Sequence, residues 1–186
     1  MILASQSPRR RELLADAGFA FTAAPSPFDE AGVTAPSPEE LAGALARGKA
    51  GAVAATTPDV VIGSDTVVAI DGQVLGKPAD DADARRMLRL LSGRTHEVFT
   101  GVSVWRDGAE AAAFTERCAV TFWGLDDALI DAYVACGEPR DKAGAYGIQG
   151  KGRLLVRGIE GDFYTVMGLP IARLVRELHT LGIDPA

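Results

Sequence analysis

Two long apolar stretches, Val98 to Trp105 and Ala111 to Phe122, flank the dipeptide Asp107-Gly108, which favours a tight hairpin turn. That pattern constrains the chain most. It predicts a long antiparallel hairpin, and a sheet containing one is not all-parallel. Around it, short apolar runs alternate with helical periodicity. Ile2-Leu3-Ala4 reads as a buried strand. Ser7 as N-cap and Pro8 at the first helical position open a helix to Ala17, and Gly18 ends it. Phe19 to Ala24 reads as a strand, and Pro25 to Pro38 as a loop rich in Pro, Asp, Glu and Gly. Ser37-Pro38-Glu39-Glu40 starts a helix that continues to about Ala55. Val60 to Gly63 reads as a buried strand, and Val67 to Ile70 as a second apolar run closed by Asp71-Gly72. Asp81 to Leu91 has helical spacing in Ala84, Met87, Leu88 and Leu91. Leu125 to Ala135 reads as a helix, Leu154 to Ile159 as a strand, and Gly168-Leu169-Pro170 opens a last helix. The alternation predicts an α/β fold with a mixed sheet and flanking helices.

Length and composition bound the functions open to such a fold. The 186 residues suit one domain with a sizeable core, or one domain split into two lobes around a cleft. A net charge of -6 disfavours a nucleic-acid binder, though a local basic patch facing a small phosphorylated ligand is compatible with it. Cys118 and Cys136 form no C-x-x-C pair and lie apart from His96 and His179, so neither a zinc site nor a disulfide framework is expected. Both thiols read as core or inert. The sequence shows no signal peptide and no apolar run long enough to span a bilayer, so the expected location is the cytoplasm, with no membrane partner.

Five clusters could carry chemistry. Ser5-Gln6-Ser7-Pro8-Arg9-Arg10 lies between a strand and a helix. A helix start offers unpaired N–H groups and partial positive charge, and Ser and Arg add donors suited to phosphate. The plain structural reading is a capped helix with a basic face. Ser64-Asp65-Thr66 falls at the expected carboxyl end of the strand Val60–Gly63, where ligand sites collect in open α/β sheets. Asp65 there could hold a metal or activate water, or simply form a turn. Asp29-Glu30 offers hard oxygen ligands for Mg²⁺ or Mn²⁺, or is a solvated loop charge. Lys77, between Gly76 and Pro78, sits on a rigid turn that could present it to a phosphate. Lys49, within a helix, is the weaker candidate. Finally Gly144, Gly147 and Gly150 permit close backbone approach to a ligand, and Gln149 carries the donor and acceptor needed to read a base edge. His96 could be a base, but a hydrogen-bonded structural histidine is the simpler reading.

In order along the chain, these pieces resemble the Maf family of nucleoside triphosphate pyrophosphatases. The resemblance rests on Leu3-Ala4-Ser5-Gln6-Ser7-Pro8-Arg9-Arg10, Asp29-Glu30, Leu45-Ala46-Arg47-Gly48-Lys49-Ala50, Ser64-Asp65-Thr66-Val67-Val68 and Leu75-Gly76-Lys77-Pro78. It continues through Leu90-Leu91-Ser92-Gly93, Thr100-Gly101-Val102, Asp141 to Gly150 and Gly168-Leu169-Pro170. It implies an elongated α/β fold over residues 1–186, two-lobed around a cleft, similar in architecture to the inosine triphosphate pyrophosphatases. It implies Asp65 as general base, Glu30 and Asp65 near a divalent metal (Mg²⁺ or Mn²⁺), and Ser7, Arg10, Lys49 and Lys77 on the phosphate side. Arg9, Thr66 and Gln149 match the branch acting on dTTP and UTP, whereas the branch acting on 7-methyl-GTP carries Trp, Gln and Glu. Ser64 departs from the Ala often found in the dTTP/UTP branch. The resemblance also allows a homodimer, a part in excluding non-standard nucleotides, and an effect on cell division. Three alternatives stay open beside that resemblance: a 7-methyl-GTP-type enzyme, a non-catalytic nucleotide-binding regulator of septum formation, and a plain phosphohydrolase releasing orthophosphate.

Overall fold

The structure is a computed structural model and describes residues 1–185. Strand β1 (Ile2–Leu3) leads through helix α1 (Pro8–Asp16) to β2 (Thr22–Ala23). A long loop then reaches α2 (Pro38–Ala54), followed by β3 (Val61–Ile70), β4 (Gln73–Leu75) and α3 (Asp81–Leu91). The expected hairpin is β5 (Thr95–Arg106) and β6 (Ala109–Phe122), and α4 (Asp127–Ala135) follows it. Three short 3-10 turns (Glu138–Asp141, Ala143–Ala145 and Lys151–Leu154) lead to β7 (Val156–Glu160), α5 (Phe163–Met167) and α6 (Ile171–Thr180). All seven strands form one mixed sheet in the order β2-β1-β3-β5-β6-β7, with β4 beside β3. β1 runs parallel to β2 and β3, and every other pairing is antiparallel. Both tight hairpins turn on Asp-Gly with positive φ at each residue (51° and 76° at Asp71-Gly72, 53° and 75° at Asp107-Gly108), which Asp tolerates and Gly adopts freely.

The main departure from the sequence reading lies in β3. Ser64-Asp65-Thr66 is not at a strand end: β3 runs unbroken through it, because β5 continues the ladder opposite, with Ser64 against Val102, Asp65 against Gly101 and Thr66 against Thr100. On the other edge of β3, β1 pairs with Val61 and Ile62, and β4 pairs only from Val68 onward. Residues 63–67 therefore have a strand partner on one side alone. The strand end that matters belongs to β1, whose chain leaves the sheet after Ala4 and opens a gap beside Asp65. Phe19 to Ala24 shortens to the two residues of β2, and α5 has no counterpart in the sequence reading. Cys118 is buried, but Cys136 is exposed at the end of α4, so only the first is a core thiol.

Alternation along β3 sends its two faces to different neighbours. Gly63, Asp65, Val67 and Ala69 face α2. Ile62, Val68 and Ile70 join the large core with Leu14 of α1, Leu88 of α3, Ile130 of α4 and Leu174 of α6. Helix α2 lies very close to the sheet. A Cβ on Gly63 would stand 2.5 Å from the Ala46 carbonyl oxygen and 2.7 Å from the Ala50 Cβ, and one on Gly101 would run into the Ala42 backbone. Ala42, Ala46 and Ala50 recur every four residues, so a stripe of small side chains rides over two glycines. Adding a methyl at Gly63 would cost about 1–3 kcal/mol by overpacking. This close approach brings Lys49 of α2 over Asp65 of β3.

Candidate active site

A cleft of about 970 Å³ opens at the gap beside β3. Ser7, Arg9, Arg10, Glu30, Lys49, Asp65, Thr66, Lys77 and Gln149 all line it, so nine of the residues singled out from the sequence reach one space. His96 does not. It is buried, its Nε2 lies 2.8 Å from the Tyr146 hydroxyl, and its ring meets Phe122 and Tyr146 edge to face. Burial lowers its pKa to about 4, and its Nδ1 has no partner among the described residues. It is a neutral structural histidine.

At one end of the cleft an ammonium joins two carboxylates. Lys49 Nζ lies 2.5 Å from Asp65 Oδ1 and 2.9 Å from Glu30 Oε1. Lys49 and Asp65 are largely shielded from water, which strengthens their attraction, whereas the Glu30 side chain is half exposed. The loop bearing Glu30 is pinned to α2 by its own residues. The Ser26 hydroxyl donates to the Lys49 carbonyl at 2.9 Å, and the Phe28 ring rests directly on Gly48, where any Cβ would clash with it. A glycine in mid-helix, costly by about 1 kcal/mol relative to alanine, therefore lets the loop approach. Asp29 plays a different part, accepting the Ala31 N–H at 2.9 Å to shape the loop. The two converging carboxylates suit Mg²⁺ or Mn²⁺, which bind through one or two carboxylates together with substrate phosphates and water. No group of three or more His, Cys, Asp or Glu side chains forms a closed metal cage among the described residues. Substrate oxygens are thus needed to complete such a site.

The N-terminus of α1 forms an adjacent wall. Ser7 caps it, with its hydroxyl oxygen accepting the Arg10 N–H at 3.5 Å, and Pro8 takes the first turn. The Arg10 guanidinium donates to the Gly168 carbonyl at 2.7 Å, to Ser5 Oγ at 3.3 Å and to Thr66 Oγ1 at 3.2 Å. Burial pulls its pKa down while the field of Asp65 pulls it up, and the net value lies below the ordinary one. Arg10 is thus a brace between α1, β3 and the turn before α6 as well as a cation in the cleft. Thr66 shares that brace. Thr100 Oγ1 donates to the Thr165 carbonyl at 2.7 Å, so at the 2.9 Å contact between the two hydroxyls Thr66 donates to Thr100 while accepting from Arg10. Ser64 is fully buried and donates to the same Gly168 carbonyl at 3.0 Å. Its hydroxyl is committed to that carbonyl, and the residue that departs from the dTTP/UTP pattern does not line the cleft, whereas Thr66 on the same face of β3 does. Arg9 and Lys77 differ from the other cations of the cleft: neither side chain has a hydrogen-bond or ion-pair partner among the described residues.

The other end is built by the glycine-rich segment. Sequence reasoning singled out Gln149 but missed the residues that hold its loop. The Glu138 carboxylate accepts from the Tyr133 hydroxyl at 2.8 Å, the Lys151 N–H at 2.7 Å and the Gly152 N–H at 3.1 Å, and the Tyr133 oxygen accepts the Gly147 N–H at 3.1 Å. Burial pushes the Glu138 carboxyl up, the two amides and Tyr133 push it down, and it ends below its usual value. Lys142 donates to the Glu138 carbonyl at 2.9 Å and to Asp141 at 2.7 Å. The only sequence signal for this clamp is the Gly137-Glu138-Pro139 step ahead of the glycines. Tyr133 lies in α4 with no local mark.

Comparison with known proteins accords with this geometry. The family model for Maf-like protein matches residues 1–181. A dTTP/UTP pyrophosphatase of Bacillus cereus (strain AH820) is 51% identical over 185 residues, 99% of this chain and 96% of that one. A dTTP/UTP pyrophosphatase of Bacillus mycoides (strain KBAB4) is 52% identical with the same coverage. Among solved structures, a HAM1 protein from Coxiella burnetii aligns over 96% of this chain and 98% of its own, with a TM-score of 0.51 and 19% identity. The Ham1 protein of Staphylococcus aureus aligns over 97% of each chain at a TM-score of 0.50 and 16% identity. The two structures share the fold. The chain belongs to the Maf family.

Proposed function

We propose that this protein hydrolyses dTTP and UTP to the nucleoside monophosphate and pyrophosphate. The observation that carries the chemistry is the meeting of Asp65, Glu30 and Lys49 beside a capped helix start and the two uncommitted cations Arg9 and Lys77. Half of the sequence is shared, end to end, with proteins named for that substrate pair, which supports the choice of base. Ser64 puts no atom in the cleft and so does not weigh against it.

Glu30 and Asp65 would hold a divalent ion, Mg²⁺ or Mn²⁺, jointly with the triphosphate. When bound, such an ion polarises phosphoryl oxygens and makes coordinated water a better nucleophile. Asp65 accepts the proton of the attacking water. The water oxygen bonds to the α-phosphorus in line with the departing oxygen, the bond between the α-phosphorus and that oxygen breaks, and pyrophosphate leaves with the electron pair. Lys49, whose ammonium lies between those two carboxylates, would supply positive charge beside the phosphates. Lys77, Arg10 and the Ser7 hydroxyl offset charge on the triphosphate and the leaving pyrophosphate. Arg9, Thr66 and Gln149 select the base, Thr66 acting through its bond to Arg10.

Incubating the purified protein with a panel of nucleoside triphosphates, 7-methyl-GTP included, and Mg²⁺ or Mn²⁺ tests this reading. Pyrophosphate with UMP or dTMP is expected. Orthophosphate as first product, preference for 7-methyl-GTP, or no release from any nucleotide would sink it.

A further inference from the structure

We propose that Glu138 is a positioning residue for nucleobase selection, holding the loop 147–152 so that Gln149 is presented to the cleft. This rests on the pyrimidine nucleotide reading above.

The loop is tied at both ends, and between them the Ile148 side chain is buried in the core and the Gly150 carbonyl accepts from Arg153 Nε at 2.8 Å. Its start is fixed by the Gly147 N–H on the Tyr133 hydroxyl, and its end by the Lys151 and Gly152 N–H groups on the Glu138 carboxylate. Tyr133 is itself held by that carboxylate, so both ties converge on one side chain. Gln149 lies between them, with no side-chain hydrogen bond among the described residues, and lines the cleft. The glycines are explained by the same arrangement. A Cβ on Gly150 would overlap the Glu138 carboxylate, and one on Gly147 would come to 3.2 Å from Glu138 Oε1 and 2.7 Å from Lys142 Cε. A Cβ on Gly152 would meet the Tyr133 hydroxyl at 2.7 Å. The backbone thus wraps an anion supplied by the protein itself. Backbone amides pay little entropy to bind an anion that is already fixed, and a charge-assisted bond to an N–H is about twice as strong as a neutral one.

Glu138→Gln tests the proposal, since it keeps the shape and removes the charge. The readout is the ratio of kcat/KM for UTP to that for ATP, with kcat and KM resolved separately and melting temperature measured alongside. We expect the ratio to fall about tenfold, the loss of one well-placed hydrogen bond to the base, mainly through KM for UTP. In a Gln149→Ala background, adding Glu138→Gln should change the ratio no further. Tyr133→Phe, which releases the Gly147 tie and takes one donor from Glu138 but leaves the Lys151 and Gly152 ties, should give a smaller fall and serves if Glu138→Gln does not fold. A lower melting temperature with the ratio unchanged would overturn the proposal, as would effects of Glu138→Gln and Gln149→Ala that multiply. Wild-type protein without a pyrimidine preference would overturn the functional reading itself, before any variant is made.

Discussion

The two ends of the cleft are built by opposite means. The carboxylate end puts Lys49 on α2 and Asp65 on β3, fixes their spacing through bare backbone contact at Gly63 and Gly101, and leaves only Glu30 on a loop. The Gln149 end has only short 3-10 turns around it, and a half-buried carboxylate ties its loop in place. The difference shows where each end can change. Rigid elements hold charged groups at one fixed separation, as bond-breaking chemistry requires. A loop tied at two points can present another side chain without moving the sheet.

The largest expected effect is at the carboxylate end. Asp65→Asn should lower pyrophosphate release by on the order of 10³-fold while the far-ultraviolet circular dichroism stays unchanged. Near-normal turnover would remove Asp65 from its place as base. Acid should strain the opposite end. His96, packed on Tyr146 just before the loop, has its pKa lowered to about 4 by burial, against 6.5 in the unfolded chain. Between those values the unfolded state binds a proton that the folded state refuses, so stability is whole above pH 6.5 and falls as the pH drops. The cost by pH 4 is about 3 kcal/mol from this one group. Chemical denaturation of wild type and His96→Gln across that window checks it, and parallel pH profiles would refute it.

Gly48→Ala asks whether Glu30 depends on its loop's seat on α2. The new methyl meets the Phe28 ring, and displacing the loop should cost roughly 10²-fold in kcat/KM with little loss of stability, since alanine favours the helix. An unaffected rate would show that Glu30 does not need that seat. The smallest effect is expected at Ser64→Ala. The Gly168 carbonyl loses one donor and keeps Arg10, so stability should fall by about 1 kcal/mol and the UTP to 7-methyl-GTP preference should not move. A shift in preference would tie Ser64 to the base after all.

Most elements, and nine polar residues that line the cleft from Ser7 to Gln149, are legible in the sequence. Periodicity marks α3, Asp-Gly marks both hairpins, and Ser7-Pro8 marks the start of α1. These are local effects, set by the conformations a few neighbouring residues allow. Lys49 was the weaker candidate because a helical lysine is usually solvated. Only the approach of α2 to β3, allowed by glycines far apart in the chain, turns it onto Asp65. Ser64-Asp65-Thr66 looked like the end of a strand because polar residues interrupt the apolar run. Pairing with β5 carries the strand through them, and the departure of β1 makes the opening. The hydrophobic pattern and turn chemistry thus determined the elements, their order and the residue types available for chemistry. Tertiary structure decided which groups touch: Arg10 as a brace, Ser64 committed to the Gly168 carbonyl, and Glu138 at the centre of its loop. Those contacts join residues up to 158 positions apart, and no local propensity encodes a meeting over that distance.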